Sequence, residues 1–124
     1  MALNLLKTMD DGIWKDYDAD VSFKIRPFTP KIARDTKKAN TSSKKDGGKL
    51  IEVVNNDRWN IDILDYVIQD WKGIEDGSSN PLSCIRENKV ILDQKFSSII
   101  AWVMEISSGL AEEIASEKEI AEKN

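Results

Sequence analysis

The C-terminal part of the chain carries the pattern that most constrains the fold. Apolar residues recur there with steps of three and four: Leu92, Phe96, Ile99, Val103, Ile106, Leu110 and Ile114. This spacing predicts one continuous apolar stripe on a helix of about 23 residues, roughly 35 Å long at the usual rise per residue. The rest of a 124-residue chain can cover only part of such a stripe. We therefore expect a long helix with spare apolar surface.

A structural joint precedes this helix. Trp59, Ile63, Val67 and Trp71 are spaced by four and predict a middle helix over residues 56–71. Gly73 and a run of turn-forming residues then predict a loop over residues 72–85. A new helical pattern begins at Arg86 and predicts the C-terminal helices over residues 86–122. The structural joint is assigned to Asp70, Trp71 and Gly73.

The N-terminal part alternates apolar and polar residues with period two, which predicts a β-hairpin over residues 11–28. Trp14, Val21, Phe23 and Ile25 are expected to share or straddle its buried face. A lone two-stranded hairpin is only marginally stable in water. It must therefore pack on the helices, or extend a sheet with a partner chain.

A basic segment lies between these parts. Thr29 before Pro30 is a good helix start and predicts a helix over residues 30–40. Residues 41–50 are polar and glycine-containing, which predicts a mobile loop. From Lys31 to Lys49 there are seven basic and two acidic residues, but no aromatic residue is interleaved with them. Nucleic acid is therefore an unlikely partner.

These elements together predict a single α+β domain over residues 1–124, mostly helical. The N-terminal hairpin would pack on three to four helices, the last of them long. The charge is uneven along this domain, since residues 1–50 carry 11 basic and 7 acidic residues and residues 51–124 carry 7 and 15. Such asymmetry is typical of proteins with charged interaction surfaces.

The composition lacks the usual parts of a catalytic site. There is no histidine, and the single cysteine, Cys84, has no internal disulfide partner. We expect no catalytic, cofactor-binding or metal-binding residue, and hence no enzyme. No apolar run approaches the ~20 residues that span a bilayer, and residues 1–10 do not form a signal peptide. A reducing compartment such as the cytoplasm is expected.

Several short blocks occur in a characteristic order. They are Gly12-Ile13-Trp14 with Arg26-Pro27-Phe28-Thr29-Pro30, then Asp70-Trp71-Lys72-Gly73, then Pro81-Leu82, Cys84 and Glu87-Asn88-Lys89-Val90, and finally Glu122-Lys123-Asn124. In this order the blocks resemble the small tail assembly chaperones of long-tailed phages and prophages. The resemblance covers residues 12–124, and it assigns no binding residues.

The resemblance implies a non-catalytic factor that binds the tape measure protein before the tail tube polymerises. It also implies a longer frameshifted form that recruits the tail tube protein, of which this chain would be the short form. Such a factor would act in the host bacterial cytoplasm and be absent from the mature virion. On the helix surface from Phe96 to Ile114 we predict client contacts at Phe96, Ile99, Trp102, Val103, Ile106, Leu110 and Ile114.

Three alternatives remain open at this stage. The chain could be a structural virion subunit of the tail or connector, adding strands to a neighbour through its hairpin. It could be a small regulatory or nucleic-acid adaptor that acts through the basic segment. The uncovered stripe could also be covered by a second copy of the chain in a homo-oligomer.

Trp102 lies off the stripe, and the sequence equally favours a solvent-exposed contact and packing against the hairpin.

Overall fold

The computed structural model describes residues 11–123, with side-chain surroundings for residues 11–117. In these residues it contains five strands and four helices: β1 (Ile13–Asp16), β2 (Ser22–Ile25), α1 (Pro30–Ala39), β3 (Thr41–Asp46), β4 (Lys49–Val54), α2 (Asn56–Val67), β5 (Ile68–Lys72), α3 (Arg86–Lys95) and α4 (Ser97–Lys123). The predicted α+β class, with N-terminal strands and a long C-terminal helix, is confirmed.

The core forms where a three-stranded antiparallel sheet packs on α4. The strand order is β1-β2-β5, so β2 is central. Phe23 and Ile25 on β2 are fully buried, and they lie opposite Trp71 and Ile68 of β5. On the helix side of this contact, Val103 is also fully buried.

Of the residues expected to share or straddle the buried face of the N-terminal hairpin, Trp14 lies on its other face. Both strands lie within residues 11–28, but Trp14 does not share the buried face with Phe23 and Ile25. Trp14 pairs with Lys24, and neighbouring residues of a strand point to opposite faces, so Trp14 is on the outer face. There the ammonium of Lys72 lies 4.4 Å from the centroid of the Trp14 ring, a cation–π contact.

The predicted middle helix extends too far, because its last residues form a strand. It ends at Val67, and residues 68–72 form β5 instead of a last helical turn. Trp71 therefore continues the four-residue spacing by coincidence. Its ring packs edge-on against Phe23 at a centroid distance of 6.4 Å. Pairing with the exposed edge of β2 overrides the local helical pattern, as tertiary contacts commonly do.

The predicted mobile loop at residues 41–50 is also wrong. Residues 41–54 form a second hairpin, β3–β4, which is a separate two-stranded sheet. Gly47 and Gly48 turn it with φ of 58° and 82°, the double positive φ that a two-residue hairpin turn requires. Most of its side chains are exposed on both faces. The strands therefore lack the apolar alternation that would have revealed them.

The predicted C-terminal helices form, but the apolar stripe is not one helix. α3 ends at Lys95, and Phe96 has φ −134° and ψ 58°, so the chain changes direction there. Leu92 and Phe96 therefore precede the long helix. α4 begins at Ser97 and carries the remaining stripe residues.

The joint between the middle and C-terminal parts is held by β5. The Trp71 indole donates a hydrogen bond to the Leu82 carbonyl at 2.8 Å, which ties the strand to the returning loop. Gly73 has φ +84°, and a Cβ built on it would overlap the Asp20 carbonyl oxygen. The hairpin turn and the joint thus approach each other so closely that only glycine fits.

We expect Gly73→Ala to lower the free energy of unfolding by about 3 kcal/mol or more, because it combines a strained backbone with a backbone clash. Gly77→Ala is the matched control, since a Cβ at Gly77 meets nothing within 4 Å. Urea denaturation of both variants measures the difference. Equal stabilities would contradict the close approach of residue 73 to the hairpin turn.

A polar cluster joins α1, α2 and α3 on the other side of the core. Lys89 is only 6% exposed, and its ammonium donates to the Asp65 carboxylate and to the Asp65 carbonyl, each at 2.9 Å. Arg86 bonds Asp62 at 2.6 Å. Asn40 donates a hydrogen bond to the second oxygen of Asp62 at 2.7 Å. This hydrogen bond is the largest cause of the lowered pKa of the Asp62 carboxyl, and the hydrogen bond and charge of Arg86 lower that pKa further.

Asp65→Ala is expected to reduce the free energy of unfolding by about 2–3 kcal/mol, because it leaves the buried Lys89 ammonium without its counter-charge. Asp35→Ala is the control, since the Lys31–Asp35 pair is exposed and should contribute less than about 1 kcal/mol. Thermal or urea unfolding at neutral pH compares the two. A loss as small for Asp65→Ala as for the control would exclude a structural role for this pair.

Candidate functional site

A groove runs between the edge strand β1 and the middle part of α4, residues 102–117. Its apolar lining comprises Ile13, Pro27, Trp102, Ile106, Leu110 and Ile114, its polar lining includes Asp11, Lys15, Glu105, Glu112, Glu113 and Glu117, and Gly109 lies between them. Two adjoining cavities, of about 210 and 790 Å³, make up this groove. We call this surface the β1–α4 groove.

Trp102 closes one end of the groove. Its ring packs edge-on against Tyr17 at a centroid distance of 5.2 Å, and it lies 6.3 Å from the Phe23 ring. Of the two alternatives that the sequence left open, packing on the hairpin is the one observed. Trp102 is nevertheless only half-buried, so part of it faces the groove.

The structure brings together four of the seven predicted client-binding residues. Trp102, Ile106, Leu110 and Ile114 all line the groove. Leu110 is 6% exposed and contributes only to the groove floor.

The other three predicted residues do not line the groove. Val103 is fully buried in the core, so its place on a binding surface is corrected: the hairpin covers that side of α4. Ile99 is half-buried against the same core. Phe96 is 55% exposed, at the bend between α3 and α4. Sequence spacing alone cannot predict which of these three residues is buried and which is exposed, because all three belong to one apolar stripe.

The rim of the groove is acidic. Four glutamates of α4 line it, namely Glu105, Glu112, Glu113 and Glu117, and the facing strand contributes Lys15. Asp11 adds a carboxylate at the end of the groove, where a hydrogen bond from the Lys24 ammonium, 3.0 Å away, is the main cause of its lowered pKa. Asp11 is thus ionised but already paired, whereas the glutamates set the negative potential of the rim.

A second exposed surface lies on the β3–β4 hairpin, which the sequence reasoning missed as a structured element. Leu50 on β4 is 72% exposed, and Ile51 and Val53 are each 40% exposed. Lys44, Lys45 and Lys49 flank them, at and near the turn. The signal that could have found it is the Gly47-Gly48 pair between two extended segments. This hairpin is apolar and basic, whereas the groove is apolar and acidic.

The chain has one thiol, that of Cys84, and the fold half-buries it. Burial raises the pKa of the Cys84 thiol to about 11, so it stays protonated at neutral pH. Among residues 11–117 no group of three acidic or cysteine side chains is arranged to hold a metal ion. In the searched part of the chain, no helix is both long and apolar enough to cross a membrane.

Comparison with known proteins identifies the family of the chain. No curated protein and no solved structure gives a significant match to the chain. The model of the YdaY prophage protein family matches residues 15–124. The matched region includes the second half of β1, the other two strands of the sheet, the joint and all of α4. The chain therefore belongs to the YdaY prophage protein family.

Proposed function

We propose that this prophage protein is a non-catalytic tail assembly chaperone that binds the tape measure protein before the tail tube polymerises. The observation that carries the proposal is the β1–α4 groove, a partly apolar surface along a long helix that no other described segment covers. Membership of a prophage family and the ordered sequence blocks support it. The proposal places the protein in the host bacterial cytoplasm and not in the finished particle.

The physical basis is transient covering of apolar surface. A tape measure protein is long and helical, and before assembly its apolar seams face water. Exposed contiguous apolar surface of this kind promotes aggregation. A groove lined by Trp102, Ile106 and Ile114 can take up part of a seam by the helix-in-groove mode of recognition.

A longer frameshifted form would fit the same scheme. In such a form the extension after α4 would recruit the tail tube protein, while the groove holds the tape measure. The short chain would then cover the client, and the long form would bring the tube subunits to it. This part of the proposal rests on the resemblance alone.

Co-expression with the tape measure protein encoded nearby, followed by pull-down and a solubility assay, tests the proposal. The native chain should keep the tape measure soluble and co-purify with it. Ile106→Asp with Ile114→Asp should reduce co-purification tenfold or more, because loss of about 1.4 kcal/mol already gives tenfold. Both residues are only half-buried, but Ile106 also packs against the core, so circular dichroism and urea denaturation of the variant must show a native fold.

Ile91→Asp is the matched control, since Ile91 is 45% exposed on α3 and does not line the groove. This variant should bind the tape measure as the native chain does. An insoluble, unbound tape measure in the presence of the native chain would contradict the chaperone proposal.

The second candidate is a structural subunit of the virion tail or connector. The observation that favours it is the β3–β4 hairpin, a two-stranded sheet with free edges and exposed apolar side chains on β4. Such an edge can add strands from a neighbouring subunit. Mass spectrometry of purified particles separates the two: a chaperone should be absent from them, and a subunit should be present in stoichiometric amounts.

A further inference from the structure

We propose that the β1–α4 groove selects an amphipathic helix whose apolar face is flanked by basic residues. The inference rests on the proposed chaperone function, because the tape measure protein is the source of that helix. It adds the chemical class of the bound segment and the reason why this groove takes it.

The shape of the groove fits a helix lying along α4. Trp102, Ile106, Leu110 and Ile114 are spaced by four, so they form one ridge, which is inclined by about 26° to the axis of α4. Twelve residues of helix extend about 18 Å at 1.5 Å per residue, which is the length of three to four turns of a second helix. β1 has four residues, which offers few backbone hydrogen bonds to an added strand. Helix docking is thus favoured over strand addition.

Gly109 supports a close approach at the middle of this ridge. It lies within α4, where glycine is about 1 kcal/mol less favourable than alanine. A Cβ at this position would meet nothing within 4 Å, so the glycine is not required by internal packing. Its place in the lining leaves a flat stretch of backbone facing the groove. A partner helix can pack closely there, as at helix contacts built on small residues.

The charge of the rim decides the chemistry of the occupant. Glu105, Glu112, Glu113 and Glu117 line the groove on the α4 side, against Lys15 on the β1 side. Acidic side chains gathered along one wall repel each other, and a basic ligand relieves this repulsion. A helix with acidic flanks would meet like charges along the same wall. The groove therefore discriminates by charge, whereas its apolar lining supplies the contact area.

Two designed peptides of about 18 residues, or five helical turns, test the inference on the full-length protein. They share one leucine face; one has lysine flanks and the other has glutamate flanks. Fluorescence anisotropy should show at least tenfold tighter binding of the lysine peptide at low salt, and a smaller difference at high salt. Equal affinities for the two peptides would overturn the inference.

Charge-neutralising variants locate the selectivity. Glu112→Gln with Glu113→Gln should weaken binding of the lysine peptide about tenfold and reduce its salt dependence, while leaving the leucine face its contacts. Glu87→Gln is the control, since Glu87 is exposed on α3 and does not line the groove. An unchanged affinity in the double variant would assign the selectivity to another surface and overturn the inference.

Other occupants would show themselves in the same assay. If removal of residues 1–10 increased peptide affinity several-fold, the groove would belong to the chain's own N-terminal segment. If affinity rose on dilution of the protein, together with dissociation seen by sedimentation, the groove would belong to a second copy. Either result would overturn the inference. Affinity that does not change with truncation or dilution supports a client helix.

Pull-down of the tape measure protein separates this inference from the proposed function. If the tape measure co-purified equally with the native chain and with Glu112→Gln/Glu113→Gln, the inference of charge selection would be overturned and the proposed chaperone function would be supported. If the native chain did not bind the tape measure but still preferred the lysine peptide, the proposed client would be contradicted and the inferred charge selection of the groove would be supported. Loss of the tape measure only in the double glutamine variant supports both.

Discussion

The structure depends on the packing of β2 against α4. Phe23 and Ile25 are fully buried between the neighbouring strand β5 and the helix, and Val103 is their counterpart on α4. Burial of each such side chain contributes about 1.5–3 kcal/mol. The Ser107 hydroxyl adds a hydrogen bond to the Arg26 carbonyl at 2.7 Å, 81 residues apart in sequence. These contacts join the two ends of the described chain, and the shorter elements are arranged around them.

The same contact creates the candidate site. Docking of the hairpin buries one side of α4, but the hairpin is too small to cover the whole length of this helix. The helix surface beyond the edge of β1 is therefore left as a groove, with Ile106 and Ile114 half-buried and glutamates along the rim. The basic β3–β4 hairpin presents the opposite charge. The uneven charge along the sequence thus becomes an acidic groove rim on α4 and a lysine-bearing hairpin, on which Leu50 points to one face and Ile51 and Val53 point to the other.

Local signals predicted the elements whose sequence pattern agrees with their tertiary contacts. The Thr29 hydroxyl accepts a hydrogen bond from the Ile32 amide and begins α1 where expected. The hairpin at residues 11–28 follows its alternating pattern. The failures have physical causes. β5 has a helical spacing but is recruited by the edge of β2, and β3–β4 is exposed on both faces and so has no apolar alternation.

The sequence by itself determined where apolar side chains fall along the C-terminal helix, because the helical period alone sets which residues share a side. It also determined the acidic character of that helix. Only the tertiary structure decided which members of the stripe remain available to a partner. The hairpin covers Val103 completely and leaves Ile106 half-open, since Ile106 lies in the groove beside the outer edge of β1. Burial depends on what packs against a residue, and that contact comes from a segment about 80 residues away in the chain.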